Sequence, residues 1–509
     1  MTVDAATTPN PFAGYGEDAA LDLDLESPAV AAQVVKRLLS PDFEDFSDQL
    51  TRVGFCANPI HLTGSSTTLD AATGEVLSTY CSDQEPGGST LVRCGNRRAS
   101  ECPSCSRIYA ADMFHLIRAG VAGGKGVPDT ISENPLVFAT LTAPSFGHVH
   151  GTRDNHRRCR PRAKNPRCPH GRPATCMAFH DDEDPQLGHP LCWECYDYAS
   201  HVVWQWWAPE LWRRFTIALR RALAQHLAVR ETKLNTRASL QYAKVGEYQR
   251  RGLIHFHALI RLDGPKVDGA FGPAPADVDA DKLSDLIRDA AASVRFTAPP
   301  MFAGDSERVL ALGAQVDARH VRTGHRTDDP GKPLAPEQVA GYLAKYSTKS
   351  ASDTTDQGNA HLHRIKTVAD EFARAVEDEW NHAGRPVELR DWPYGLLGKW
   401  VHDLGFRGHF ASKSRRYSVT LGQLRRARRR AQLLLADAQR RGEPVDLASM
   451  EAQLLADDDA ETTLIVGSWS FAGIGWDTPG DVALAKAAAA RAREHAQDKA
   501  AKKRVSKPD

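Results

Sequence analysis

Two histidines one residue apart, His255 and His257, lie in the run Gly252-Leu-Ile-His-Phe-His-Ala-Leu-Ile-Arg261. The run is apolar at most other positions and reads as a buried strand. Side chains alternate along a strand, so the two imidazoles share a face and Phe256 takes the other. The stretch before it, Ser239–Tyr248, reads as a second strand by its alternation and its β-branched and aromatic residues. The turn Gln249-Arg-Arg-Gly252 joins the two as a hairpin and brings Glu247 beside the histidines. One carboxylate and two imidazoles make a three-ligand set with room for water or substrate oxygens, suited to Mg²⁺ or Mn²⁺. His361 and His363 repeat the spacing with no strand around them and read as chance.

Two further stretches could complete a phosphoryl-transfer site. Pro135-Leu-Val-Phe-Ala-Thr-Leu-Thr-Ala-Pro144 reads as a strand with Thr140 and Thr142 on one face, shaping the floor of a site without being ligands. Residues 336–349 read as a helix with Pro336 in its first turn and Tyr342 and Tyr346 four apart on one face. A tyrosine hydroxyl beside a metal-bound phosphate is a competent nucleophile. Lys345 and Lys349 would neutralise phosphate or orient the phenols.

The chain has ten cysteines, all between Cys56 and Cys195. A disulfide framework would not confine itself so, and in a cytosolic chain cysteines read first as metal ligands. Cys102-Pro-Ser-Cys105 can grip one tetrahedral Zn²⁺, with Cys94 and either Cys81 or Cys56 completing four. Arg97 and Arg98 beside it suggest phosphate contacts. Cys168, Cys176, Cys192 and Cys195 make the best second set, with His170 or His180 as substitutes. That gives an expectation of two structural zinc ions. The second would order the long insertion at 148–197, which is rich in Arg and Lys from Arg153 to Arg172.

Formal net charge is zero over 509 residues, which argues against a simple basic DNA-binding module. The average hides segregation: the first fifty residues are acidic, while Arg153–Arg172 and Arg407–Arg430 are strongly basic. No apolar run is long enough to cross a membrane, and the acidic start carries no secretory signal, so the expected location is the cytoplasm. No Gly-x-x-x-x-Gly-Lys-Ser/Thr run appears, so no built-in helicase is expected.

The elements that must position these groups run β, α, β, β, α, β, α from the threonine strand to the tyrosine helix. That order predicts an α+β domain, an antiparallel sheet with helices on one face. The Trp-rich helix over 199–229 is expected to pack across the back of the sheet. The expected divisions are an acidic disordered tail at 1–50, with a short helix near Val30–Leu39, and a cysteine-rich zinc-binding region at 51–130. A catalytic core at 131–355 follows, then a basic helical DNA-binding region at 356–445 and a C-terminal tail at 446–509. Within the basic region, Gly405-Phe-Arg-Gly-His-Phe410 followed by the helix Leu421–Arg441 suggests a helix-turn-helix, and Arg415 and Arg416 are expected DNA contacts.

In chain order, Phe-x-Thr-Leu-Thr, His-apolar-His and Tyr-x-x-Lys-Tyr resemble the three motifs of the HUH endonucleases, the rolling-circle replication initiators. The paired tyrosines resemble the two-tyrosine branch. The wider pattern adds Cys94-Gly-Asn-Arg-Arg98 with Cys102-Pro-Ser-Cys105, Cys192-Trp-Glu-Cys195, and Lys413-Ser-Arg-Arg-Tyr-Ser418. Over residues 55–430 it is similar to the replication initiators of actinobacterial plasmids and integrative conjugative elements. The resemblance implies an HUH core and cleavage of one origin strand by Tyr342, giving a 5′-phosphotyrosine and a free 3′-hydroxyl primer. Tyr346 would perform a second transesterification. Origin DNA, a host helicase and a DNA polymerase are the implied partners, with no membrane. A two-tyrosine single-strand transposase shares the motifs. A zinc-containing, non-catalytic DNA-binding regulator would have no use for Glu247 and two histidines beside paired tyrosines.

Overall fold

The computed structural model describes residues 27–152, 158–161, 167–267, 270–321, 336–348, 359–442 and 463–505. The described residues begin with helices α1 (Pro28–Leu38) and α2 (Phe43–Arg52), strands β1 (Ile60–Asp70), β2 (Val76–Cys81) and β3 (Thr90–Val92), and helix α3 (Pro103–Ala122). Strand β4 (Leu136–Leu141), helix α4 (Tyr198–His226) and the hairpin β5 (Ser239–Tyr248) and β6 (Ile254–Asp263) follow. Then come short strands β7 (Lys266–Val267) and β8 (Ala270–Phe271), helix α5 (Ala280–Ser293), strands β9 (Phe296–Ala298), β10 (Arg308–Leu310) and β11 (Val316–His320), and helix α6 (Pro336–Tyr346). The remainder is helix α7 (Ala360–His382), strand β12 (Ala411–Lys413), helix α8 (Leu421–Arg441), strand β13 (Thr463–Ile474) and helix α9 (Pro479–Val505). The chain divides into two compact units, Met113–Thr420 and Met1–Asp112 with Leu421–Asp509.

The unit Met113–Thr420 is α+β. Its main sheet has five strands in the order β11-β4-β6-β5-β12, every neighbouring pair antiparallel. Alternation along β6 sends Phe256, Ala258, Ile260 and Leu262 to one face, all buried. Helix α4 covers that face. It starts at Asp197, whose side chain accepts from the Ser200 amide at 2.8 Å. Trp204, Trp206, Trp212 and Phe215 are buried in the core, as the Trp-rich pattern predicts, and the Trp212 ring lies 5.7 Å from Phe256. Burying four large aromatic side chains contributes roughly 1.5–3 kcal/mol each.

The opposite face carries His255 and His257 and is overlaid by α6, so helices occupy both faces of this sheet and not one as expected. A buried clamp holds the far end of β6. The Arg261 guanidinium, 1 % exposed, pairs with Asp263 at 2.7 Å and also donates to the Gly120 and Tyr417 carbonyls. The fifth strand, β12, lies between Phe410 and α8 and pairs with β5 through Ala411↔Val245 and Lys413↔Ala243. The expected helix-turn-helix is therefore absent at this place: the segment that would be its turn is sheet edge, 389–391 is a single 3₁₀ turn, and 397–403 is a short 3₁₀ helix and not an α-helix. Arg415 and Arg416 lie exposed just beyond that edge.

The second unit is built from both ends of the chain. Strand β13 pairs antiparallel with β1 from Ile60↔Ile474 to Asp70↔Thr463, and β2 and β3 pair with β1. Residues 27–50 are not a disordered tail. They form α1, capped by Ser27, and α2, whose Phe46 and Leu50 turn inward while Glu44, Asp45 and Asp48 stay in solvent. These helices share a buried core with Leu484, Ala485 and Ala488 of α9, so the C-terminal stretch is a structural element too. Arg37 pairs with the buried Asp481 at 2.6 Å. Residues 1–26 and 443–462 lie outside the described residues.

Candidate metal centre and tyrosine pair

The hairpin register sets the centre. Glu247 stands directly across from His255, and His257 is two residues further along the same face. The Glu247 Oε2 atom lies 3.1 Å from His255 Nε2 and 2.8 Å from His257 Nε2. Burial acts to raise the Glu247 carboxyl, but the two imidazoles outweigh it and hold it down to about 2. Burial pushes the His257 imidazolium to titrate lower than usual, which favours the neutral, ligating ring. Among the described residues this trio is one of four groups of side chains able to hold a metal ion.

Strand β4 supports it from the other side. Thr140 is paired with His257 across the ladder, and its Oγ1 lies 3.0 Å from His257 Nδ1. Phe138 stacks on the His257 ring at 5.5 Å. Thr142 does something different, donating to the Gln315 carbonyl at 2.8 Å.

Helix α6 brings in the tyrosines. The Tyr342 hydroxyl donates to Glu247 Oε2 at 3.1 Å and lies 3.2 Å from His257 Nε2. Its ring is 4.5 Å from that of Tyr346, which is itself 6.4 Å from the His257 ring. Burial and the Glu247 charge raise the Tyr342 phenol well above its ordinary value. Lys345 is exposed, its ammonium 5.8 Å from the Tyr346 ring centre, and Lys349 lies outside the described residues. A cavity of about 340 Å³ opens beside Tyr342, lined among others by Phe138, Thr140, His257, Asp317 and Arg319. Asp317 and Arg319 went unnoticed in the sequence, because only the pairing of β11 with β4 puts them on this face.

The cysteines gather differently from the sequence expectation. Cys94, Cys102 and Cys105 are joined by Cys56 and not by Cys81, which is held in strand β2. The Cys56 sulfur lies 3.8 Å from Cys102 and 3.7 Å from Cys105. Four sulfurs about 2.3 Å from a central Zn²⁺ stand about 3.8 Å apart, whereas a disulfide needs about 2.05 Å. Arg97 and Arg98 are part-exposed on the loop between these ligands. In the insertion, His170 and not Cys176 completes the group of Cys168, Cys192 and Cys195. Cys176 is drawn away because its backbone pairs with Arg160. Residues 153–157 and 162–166 of the basic stretch lie outside the described residues. His361, read as chance, is a buried core histidine 3.0 Å from the Tyr198 hydroxyl.

The fold and site thus define a mixed α+β protein whose antiparallel sheet presents a Glu-His-His group to a pair of tyrosines, with further Cys and Cys/His groups able to hold metal. The family model described as "Replication initiator protein, pSAM2" matches residues 42–490. A replication initiator protein of Streptomyces ambofaciens is 40% identical over 468 residues, 91% of this chain and 93% of that protein. The chain belongs to this family of replication initiators. No solved structure matches it. Among the described residues no helix is long and apolar enough to cross a membrane.

Proposed function

We propose that this chain is a metal-dependent, site-specific single-strand DNA endonuclease and strand transferase of the HUH type, which starts rolling-circle replication of a plasmid or integrative element. The observation that carries the reading is the Tyr342 hydroxyl within hydrogen-bond distance of both Glu247 and His257. Family membership favours replication over transposition.

The residues fit a divalent cation. Ligands about 2.1 Å from an ion and at right angles to one another stand about 3.0 Å apart, and Glu247 Oε2 lies 2.8 and 3.1 Å from the two imidazole nitrogens. Bound by Glu247, His255 and His257, Mg²⁺ or Mn²⁺ supplies Lewis acidity to the scissile phosphate. Tyr342 attacks in line. The bond from its phenolic oxygen to phosphorus forms as the bond to the 3′-oxygen breaks, the phenol gives up its proton, and the leaving oxygen takes one up. The phosphoester energy is kept in the 5′-phosphotyrosine for later rejoining, and the 3′-hydroxyl primes a host polymerase behind a host helicase. Tyr346, one turn on, serves a second transesterification. Phe138 offers a face for an unpaired base, and the exposed Lys345 offers positive charge to the strand, whereas Arg319 is paired with Asp317 at 2.7 Å. Arg97, Arg98, Arg415 and Arg416 contact the duplex phosphates, and zinc in the Cys56 and Cys168 groups holds each of those modules in its own fold.

The test is incubation of the full chain with supercoiled plasmid carrying its own gene region and Mg²⁺ or Mn²⁺. The expected products are nicked circles with protein on a 5′ end, lost in Tyr342→Phe. An adduct that persists in the Tyr342→Phe/Tyr346→Phe double variant places the nucleophile elsewhere.

A further inference from the structure

One cluster in the insertion belongs neither to the nicking centre nor to the Cys56 and Cys168 groups. His150, Cys159, Cys176 and His180 place four ligand atoms within 4.8 Å of one another, and none of them belongs to the neighbouring Cys168-His170-Cys192-Cys195 group. We propose that these four residues bind a structural zinc ion of their own, which makes the insertion a two-zinc module and seats it on the turn of the Glu247–His257 hairpin.

Three observations carry this. The first is spacing. Tetrahedral zinc with nitrogen ligands at about 2.0–2.1 Å and sulfur at about 2.3 Å sets neighbouring ligand atoms about 3.3–3.8 Å apart. Here His150 Nδ1 is 3.1 Å from His180 Nε2, and His180 Nε2 is 3.4 Å from the Cys176 sulfur.

The second is the surrounding hydrogen bonding. His180 Nδ1 lies 2.6 Å from the Asp184 carboxylate, so this nitrogen carries the proton and Nε2 presents its lone pair to the cluster. A carboxylate behind a ligating histidine is the usual support of a zinc site. The Gly151 amide donates to the Cys159 sulfur at 3.3 Å, a contact that suits a thiolate. The third is backbone preorganisation. Arg160 and Cys176 exchange both backbone hydrogen bonds, at 2.8 and 3.1 Å, and the Cys159 amide donates to the Ala178 carbonyl at 3.0 Å. This ladder holds Cys159 and Cys176 side by side before any ion arrives.

The consequence for the rest of the unit follows from what lies between His180 and the second group. Arg250, in the turn between Glu247 and His255, donates to the Asp182 carbonyl. The Gly188 backbone packs so closely on the same turn that a Cβ there would sit 2.5 Å from the Arg250 carbonyl oxygen. His180 and Asp184 thus bracket a segment that touches the hairpin holding the candidate catalytic ligands.

The test is zinc content of the full chain by elemental mass spectrometry. It is done in the His255→Ala/His257→Ala background, so that zinc in the nicking centre is not counted and failure of the proposed nuclease activity has no bearing on the result. Three zinc ions per chain are expected, one for each remaining Cys or Cys/His group. His150→Ala/His180→Ala added to that background should hold two. An added variant that holds as many zinc ions as its parent overturns the proposal. If the added variant fails to fold, the number of cobalt-bound cysteines in the parent decides, because the three groups contribute four, three and two thiolates. In the Co²⁺-substituted parent, thiolate-to-cobalt absorption should correspond to nine cysteines with only Cys81 uncounted. Absorption matching seven would return Cys159 and Cys176 to ordinary thiols.

Discussion

Thr140→Val tests the centre without touching a ligand. With a metal ion bound between His257 Nε2 and Glu247, the Thr140 hydroxyl, 3.0 Å from His257 Nδ1, would accept the N–H of that nitrogen and leave Nε2 its lone pair for the ion. Valine keeps the shape and removes the acceptor. The His257 side chain is only 6 % exposed, so water cannot readily replace the lost partner. An unsatisfied buried donor costs about 1–3 kcal/mol, and the ring can avoid that cost by changing tautomer or turning, both of which spoil Nε2 as a ligand. Loss of such a support behind a metal-bound histidine lowers metal affinity about 10–100-fold, which is about 1.4–2.7 kcal/mol. The assay is Mn²⁺ binding followed by the loss of free-ion paramagnetic signal, alongside the Mn²⁺ concentration for half-maximal nicking. Thr142→Val is the control, since its hydroxyl donates to the Gln315 carbonyl and not to the histidine. Unchanged Mn²⁺ affinity in Thr140→Val, or an equal loss in Thr142→Val, refutes the reasoning.

Tyr346→Phe should still nick and form the covalent adduct, because Tyr342 contacts the metal ligands directly, but should fail to release closed single-stranded circles, as read on gels after one round. Asp263→Ala strips the partner from the buried Arg261 and should destabilise Met113–Thr420 by about 3–5 kcal/mol in denaturant melts; a change below about 1 kcal/mol would show that the Gly120 and Tyr417 carbonyls suffice for that charge. The pH dependence of metal-free stability has a definite sign. Glu247 and His257 both titrate lower in the folded chain than in the unfolded one, so the unfolded state takes up protons first on acidification. Their contribution is complete above the unfolded histidine value of about 6.5. The His257 part is lost first as pH falls, and the Glu247 part is lost from about 4.3 downward until the carboxyl protonates at about 2. Glu247→Gln should flatten the lower part of that profile in thermal melts at fixed ionic strength.

Much of the candidate site is legible in the sequence because it depends on local periodicity. Strand alternation puts His255 and His257 on one face, a hairpin of that length brings Glu247 opposite, and a helix puts Tyr342 and Tyr346 one turn apart. Backbone geometry enforces each of these whatever surrounds it, and the structure has all of them. Tertiary structure decided what depends on distant segments meeting. Cys56 and Cys81 are equally good thiols, and the choice between them falls to the pairing that keeps Cys81 in β2 and packs Cys56 against Cys102. His170 took the place given to Cys176 because the Arg160–Cys176 ladder turned that sulfur toward His180. The acidic charge of the first fifty residues suggested a solvated tail, yet Phe46 and Leu50 found an apolar surface on α9, more than four hundred residues away in the chain. Composition counts the charges of such a segment but not the partner that buries its other face, and burial of that face is what turns a marginal ten-residue helix into a stable one.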